Sequence, residues 1–130
     1  MLHDLLRRCL EEVESTLRRL ENAYVERYQE EILTPGRANL RIRIRFSDGR
    51  LLELNEAVVI GAEALRHLGY RYHFQDRERH LLFRYDNTPH FPDLENFPHH
   101  KHMGNDVKSS EKPSIPQVIE EARRHLGQRP

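Results

Sequence analysis

The chain of 130 residues is sized for one domain with a modest core, since 32% of its side chains are charged and 37% hydrophobic. Its 21 basic and 21 acidic residues cancel, so any affinity for phosphate has to come from local patterning rather than from overall charge. The lone Cys9 excludes an internal disulfide, no apolar run approaches the roughly 20 residues of a membrane span, and the N-terminal MLHDLLRRCLEEVE lacks a signal-peptide pattern, which together predict a cytoplasmic protein.

Leu2, Leu5, Leu6, Cys9, Leu10, Val13, Leu17, Leu20, Tyr24, Tyr28 and Ile32 recur mostly at spacings of three and four. That stripe predicts one long amphipathic helix over residues 1–31, stopped by Pro35-Gly36, with residues 1–36 as its region of the chain. Such a helix packs on the rest of the domain or, alternatively, seams two copies into a homodimer. Residues 37–130 are expected to supply the sheet, a histidine-rich loop and a closing helix of the same single domain.

Residues 39–46, NLRIRIRF, alternate strictly, placing Leu40, Ile42, Ile44 and Phe46 inward and Arg41, Arg43 and Arg45 outward. Ser47-Asp48-Gly49-Arg50 reads as a hairpin turn, Leu51–Leu54 as the return strand, and Ala57–Ile60 as its extension after a bulge. Gly61–Leu68 is ambiguous and also suits a short helix. Tyr70–Gln75 and Leu81–Asp86 read as two further strands around a turn at Asp76–His80, giving a four-stranded antiparallel meander. Asn105–Lys112 reads as polar linker. Ser114 with Gln117 fits a capping box for a short C-terminal helix with Val118, Ile119, Ala122 and Leu126 as its stripe and Gly127 as its end. The predicted fold is α+β: a long N-terminal helix, a four-stranded antiparallel sheet, a His/Pro-rich loop and a short C-terminal helix.

The stretch that stands out is Phe83–Gly104, FRYDNTPHFPDLENFPHHKHMG, which holds His90, His99, His100 and His102 of the nine histidines and Pro89, Pro92 and Pro98 of the seven prolines. Prolines argue for an irregular loop, and the aromatic and imidazole content argues for an ordered, functional one. Three chemistries fit. One is a metal site of His90, His100 and His102, although no Cys pair or His-Glu-x-x-His accompanies them. The second is acid–base cleavage of RNA, in which imidazoles of near-neutral pKa move protons while Arg71 and Arg84 hold phosphate. The third is structural, with Phe91, Phe97 and Pro98 packing the loop and histidines bonding to its backbone.

The run Tyr72-His73-Phe74-Gln75-Asp76, then Phe83-Arg84-Tyr85-Asp86-Asn87 with Pro89-His90, then Phe97-Pro98-His99-His100-Lys101-His102 with Gly104, resembles the TumE-like toxins of bacterial toxin–antitoxin modules. The resemblance spans roughly residues 40–125 and departs at Gly61–Gly69. It implies a growth-inhibiting protein encoded beside a neutralising antitoxin with a helix-turn-helix domain, and it matches at His73, Arg84, Tyr85, Asp86, His90, His99, His100, Lys101 and His102. The resulting expectation is a metal-independent, cofactor-free endoribonuclease. His73, His100 and His102 supply acid and base, Arg84 holds phosphate, Tyr85 positions, and Arg41, Arg43, Arg45, Arg71 and Lys101 bind the nucleic acid. The alternatives are a non-catalytic regulator that uses the loop to bind nucleic acid or protein, and a metal-dependent nuclease.

Overall fold

The computed structural model describes residues 1–125. In chain order these form α1 (Asp4–Arg18), β1 (Ala23–Thr34), β2 (Arg37–Phe46), β3 (Leu51–Gly61), β4 (Ala64–Gln75), β5 (Leu81–Asp86), β6 (His100–Met103), β7 (Asp106–Ser109) and α2 (Ile115–Arg124). Each strand pairs antiparallel with the next, so the seven-stranded sheet has the order of the sequence. The class is α+β as expected; the sheet has seven strands rather than four.

Both helices lie on one face of the sheet, and that face makes the core. Leu40, Ile42, Ile44 and Phe46 of β2, Leu52 and Leu54 of β3, Tyr72 and Phe74 of β4 and Phe83 of β5 are all buried there. Leu6, Leu10 and Val13 of α1 close over them, as do Ile115, Val118, Ile119 and Ala122 of α2. The period-2 alternation therefore has its expected result, with the arginines of β2 on the opposite, open face. The buried Glu56 also sits on the core side. Burial alone would raise the pKa of Glu56, but His67 at 3.1 Å, Lys112 at 2.8 Å and the Tyr72 hydroxyl outweigh it and hold the carboxyl below its ordinary value.

The long N-terminal helix is corrected: it stops at Arg18, and residues 23–34 are an edge strand. His3 caps the helix start, its Nδ1 accepting from the Leu5 amide at 3.1 Å. Asn22 takes a left-handed φ of 58°, which turns the chain back along β2. The stripe misleads because a spacing of four falls on one side of a helix and on one side of a strand alike. Tyr24, Val25, Tyr28 and Ile32 are aromatic or β-branched, and the strand suits them better.

Three other readings change. Gly61–Leu68 is no helix: Ala62 and Glu63, with φ of 51° and 58°, form the tip of the β3–β4 hairpin. His100–Met103, expected as irregular loop, pairs with β5, and Asp106–Ser109, expected as linker, pairs with it in turn. Neither short strand carries an apolar alternation; the free hydrogen-bonding edge of β5 recruits β6, and the edge of β6 then recruits β7. The irregular loop is thereby trimmed to residues 87–99. The β3 bulge lies between Glu56 and Val58 in its pairing with β4, Gly49 (φ 91°) makes the β2–β3 turn, and the Ser114–Gln117 capping box forms. Leu126 and Gly127 lie outside the described residues.

The shortened helix has an energetic signature. Leu10→Ala, in the core, is expected to lower the unfolding free energy by about 2–5 kcal/mol. Ile32→Ala, on the exposed edge strand, is expected to change it by less than about 0.5 kcal/mol. Urea denaturation of the two variants checks this, and equal losses would restore a continuous buried stripe.

Candidate functional site

Antiparallel register carries the site across strands that are distant in sequence. On the open face, one transverse row reads Arg41, Asn55, Arg71, Asp86, His100. The next reads Arg43, Glu53, His73, Arg84, His102. Neighbours along a row are separated by the strand spacing of about 4.8 Å. His73 and His102 therefore flank Arg84, about 10 Å apart at the backbone.

Asp86 is the hub of the two rows and is 5% exposed. Its Oδ1 accepts from the Thr88 amide at 3.1 Å and its Oδ2 from Arg84 Nε at 3.2 Å. His100 Nε2 lies 2.9 Å from Oδ1 and His102 Nε2 3.7 Å from Oδ2. His100 is 2% exposed, and its Nδ1 donates to the Pro98 carbonyl at 2.9 Å. Although so close to Asp86, His100 Nε2 is misaligned for a hydrogen bond and has no such partner among the described residues. Phe91 of the loop sets its ring edgewise on both imidazoles, with centroids 5.1 Å from His100 and 6.0 Å from His102.

His73 and His102 have different surroundings but the same electrostatic bias. Burial lowers the pKa of His73, and Arg71 and Arg84 lower it further; Gln75 and Glu53 oppose this without reversing it. Burial and then Arg84 likewise lower His102. His73 Nε2 pairs with Gln75 Oε1 at 3.0 Å, while its Nδ1 is covered and has no partner among the described residues. The cations differ too. Arg43 and Arg45 are engaged by Glu26 of β1 at 2.9 and 3.2 Å, whereas Arg41 and Arg71 have no ion-pair partner among the described residues. Those two line a shallow groove of about 410 Å³ with Asn55, Asn87 and Thr88.

Of the residues singled out from sequence, the open face brings together His73, Arg84, His100 and His102, with Arg41, Arg43, Arg45 and Arg71 beside them. Tyr85 and Lys101 face the other way. On the helix side, the Tyr85 hydroxyl donates to Glu121 Oε1 at 2.6 Å, and Lys101 Nζ reaches Glu121 Oε2 at 2.6 Å. His99 stacks on Tyr70 and pairs with its hydroxyl at 2.8 Å, away from Asp86. His90 is exposed on the loop. Asp86 is the residue that sequence reasoning undervalued, although its place two residues after Arg84 put it on the same strand face. For a metal, the grouped ligand atoms are those of Asp86, His100 and His102, all within 4.8 Å of one another, so Asp86 replaces His90 in the expected set. A second group, Asp76, Glu78 and His80, sits in the exposed β4–β5 turn, where Asp76 already accepts from the amides of Glu78 and His80.

No helix among the described residues is long and apolar enough to cross a membrane. No curated protein and no solved structure matches the chain. A family model described as Toxin TumE matches residues 4–129, nearly the whole sequence and all of the site just described. A toxin family of this kind implies a cognate antitoxin. The chain belongs to the TumE toxin family.

Proposed function

We propose that this toxin inhibits growth by cleaving RNA on the open face of its sheet. The observation that carries the reading is the row His73–Arg84–His102, a cation centred between two imidazoles on adjacent strands. A phosphodiester held by Arg84 and Arg71 would have one imidazole on the side of the ribose 2′-hydroxyl and the other on the side of the leaving oxygen. His73, kept neutral, takes the 2′-hydroxyl proton at Nε2, its ring proton moving to Nδ1 and the substrate displacing the Gln75 carboxamide. The 2′-oxygen attacks phosphorus, the bond to the 5′-oxygen breaks, and the protonated form of His102 gives that oxygen its proton. Because burial and Arg84 lower the pKa of His102, the rate falls again as pH rises through that pKa. The products are a 2′,3′-cyclic phosphate and a 5′-hydroxyl, and no metal takes part.

Arg41 and the groove beside Arg71 extend the phosphate-binding surface away from the reacting centre. Arg43 and Arg45, already neutralised in part by Glu26, add less. His100 is too deeply buried to touch RNA, and its ring packs edgewise against those of Phe91 and His102. Tyr85 and Lys101 brace α2 against the sheet. The partner that silences such a face is an antitoxin, here one with a helix-turn-helix domain, presenting acidic side chains to Arg41, Arg71 and Arg84.

Purified protein is expected to cut RNA in the presence of EDTA and leave cyclic-phosphate ends. His73→Ala and His102→Ala are each expected to slow cleavage by about 100-fold or more. RNA that is bound and left intact would contradict catalysis, and cleavage abolished by EDTA would contradict the metal-free route. A pH profile gives a second check. The pKa of His73 is held below 6.5, so the acid limb of kcat/KM should bend below that value, with full base activity above it. An acid limb that bends above 6.5, or is unchanged in His73→Gln, would remove His73 from the role.

A further inference from the structure

We propose that Asp86, His100 and His102 form a binding site for a divalent transition-metal ion of the zinc type. The site goes beyond the RNA reading and stands or falls independently of it. The starting point is the state of His100. The Pro98 carbonyl can only accept, so the proton of the neutral ring is on Nδ1 and the lone pair is on Nε2. A backbone carbonyl behind an imidazole is the usual way a metal-ligating histidine is oriented and its tautomer fixed.

The lone pair has nothing to receive it. Asp86 Oδ1 is 2.9 Å away, and it too is electron-rich. Two such atoms in a site only 2–5% exposed repel unless a proton or a cation lies between them. A proton on Nε2 would have to point at Oδ1, and the ring is not aligned for that. A cation set to one side of the pair needs no such alignment. The spacing agrees: ligands about 2.0 Å from a tetrahedral ion lie about 3.3 Å from one another. The His100-to-Oδ1 distance of 2.9 Å is close to that value, and one ligand atom from each of the three residues lies within 4.8 Å of the other two.

The donor set chooses among metals. Two imidazoles and one carboxylate suit zinc and neighbouring first-row ions, whereas calcium and magnesium prefer oxygen. Three protein ligands leave at least one position open. Arg84 takes Asp86 Oδ2, which leaves Oδ1 for the ion, and its charge weakens the hold on any cation, so occupancy follows the metal supply. A seated ion also occupies the His102 nitrogen that the RNA reading uses as acid, which makes zinc an inhibitor of that reaction rather than its cofactor.

The test is calorimetric titration of the EDTA-treated, desalted full chain with Zn²⁺, alongside Co²⁺ followed by its visible absorption. The expected result is one ion per chain, with affinity at least about tenfold lower in His102→Ala and unaltered in His80→Ala, the control for the exposed turn. His100→Ala and Asp86→Asn are expected to abolish binding. Because both of those side chains are buried, the deciding variant is His102→Ala, whose ring is partly exposed, once its circular dichroism matches the parent. No binding, or binding that survives His102→Ala and disappears in His80→Ala, would overturn the proposal. Neither measurement depends on RNA.

Discussion

A carboxylate excluded from water must be surrounded by positive or donating groups, and the buried Asp86 imposes that demand on the whole β5–β6 end of the sheet. Left alone it would cost several kcal/mol. Arg84 from its own strand and the Thr88 amide from the chain just beyond donate to it, and the imidazoles of His100 and His102 from the neighbouring strand lie 2.9 and 3.7 Å from its oxygens. The contacts do two things at once. They fasten β6 to β5 with side chains as well as backbone, and they bring two imidazoles and a guanidinium into one small region. The groups that surround this carboxylate and those of the proposed site are here the same atoms.

Strand alternation then divides the histidine-rich run between two tasks. His100 and His102 go to the open face, while Lys101 between them goes under α2 to Glu121, where it also lies 4.8 Å from the centre of the Tyr85 ring. Tyr85 follows Lys101, being its partner across the ladder. The helix face is thus given largely to packing, and the two rows described on the open face are polar or charged throughout. Loop 87–99 wraps the end of the sheet between the two, with His99 against Tyr70 and Phe91 against His100 and His102.

Much of this was legible because alternation is a local signal. β2, β4 and β5 could be read from their own residues, as could the capping box of α2 and the sidedness of Arg71, His73 and Arg84. What could not be read depended on partners elsewhere in the chain. Pro-His-His-Lys-His carries no apolar alternation, so only the open edge of β5 makes part of it a strand, and only that pairing parts Lys101 from its histidine neighbours. β1 was hidden by a spacing that serves helix and strand alike. The Ala62-Glu63 turn was hidden because neither residue is one that usually takes positive φ. Asp86 could be read only as the last residue of its strand until the ladder put it opposite His100.

If the toxin acts through the open face, two adjacent residues of β6 must behave oppositely. The direct measurement is induced expression of the parent, His102→Ala and Lys101→Met, with growth and the 5′ ends of cellular RNA followed together. Lys101→Met keeps the long apolar stem on the helix face. The account predicts that Lys101→Met still arrests growth and produces new RNA ends, while His102→Ala does neither at equal protein level. Arrest and new ends with His102→Ala, or their loss with a folded Lys101→Met, would put the toxic site somewhere other than the open face.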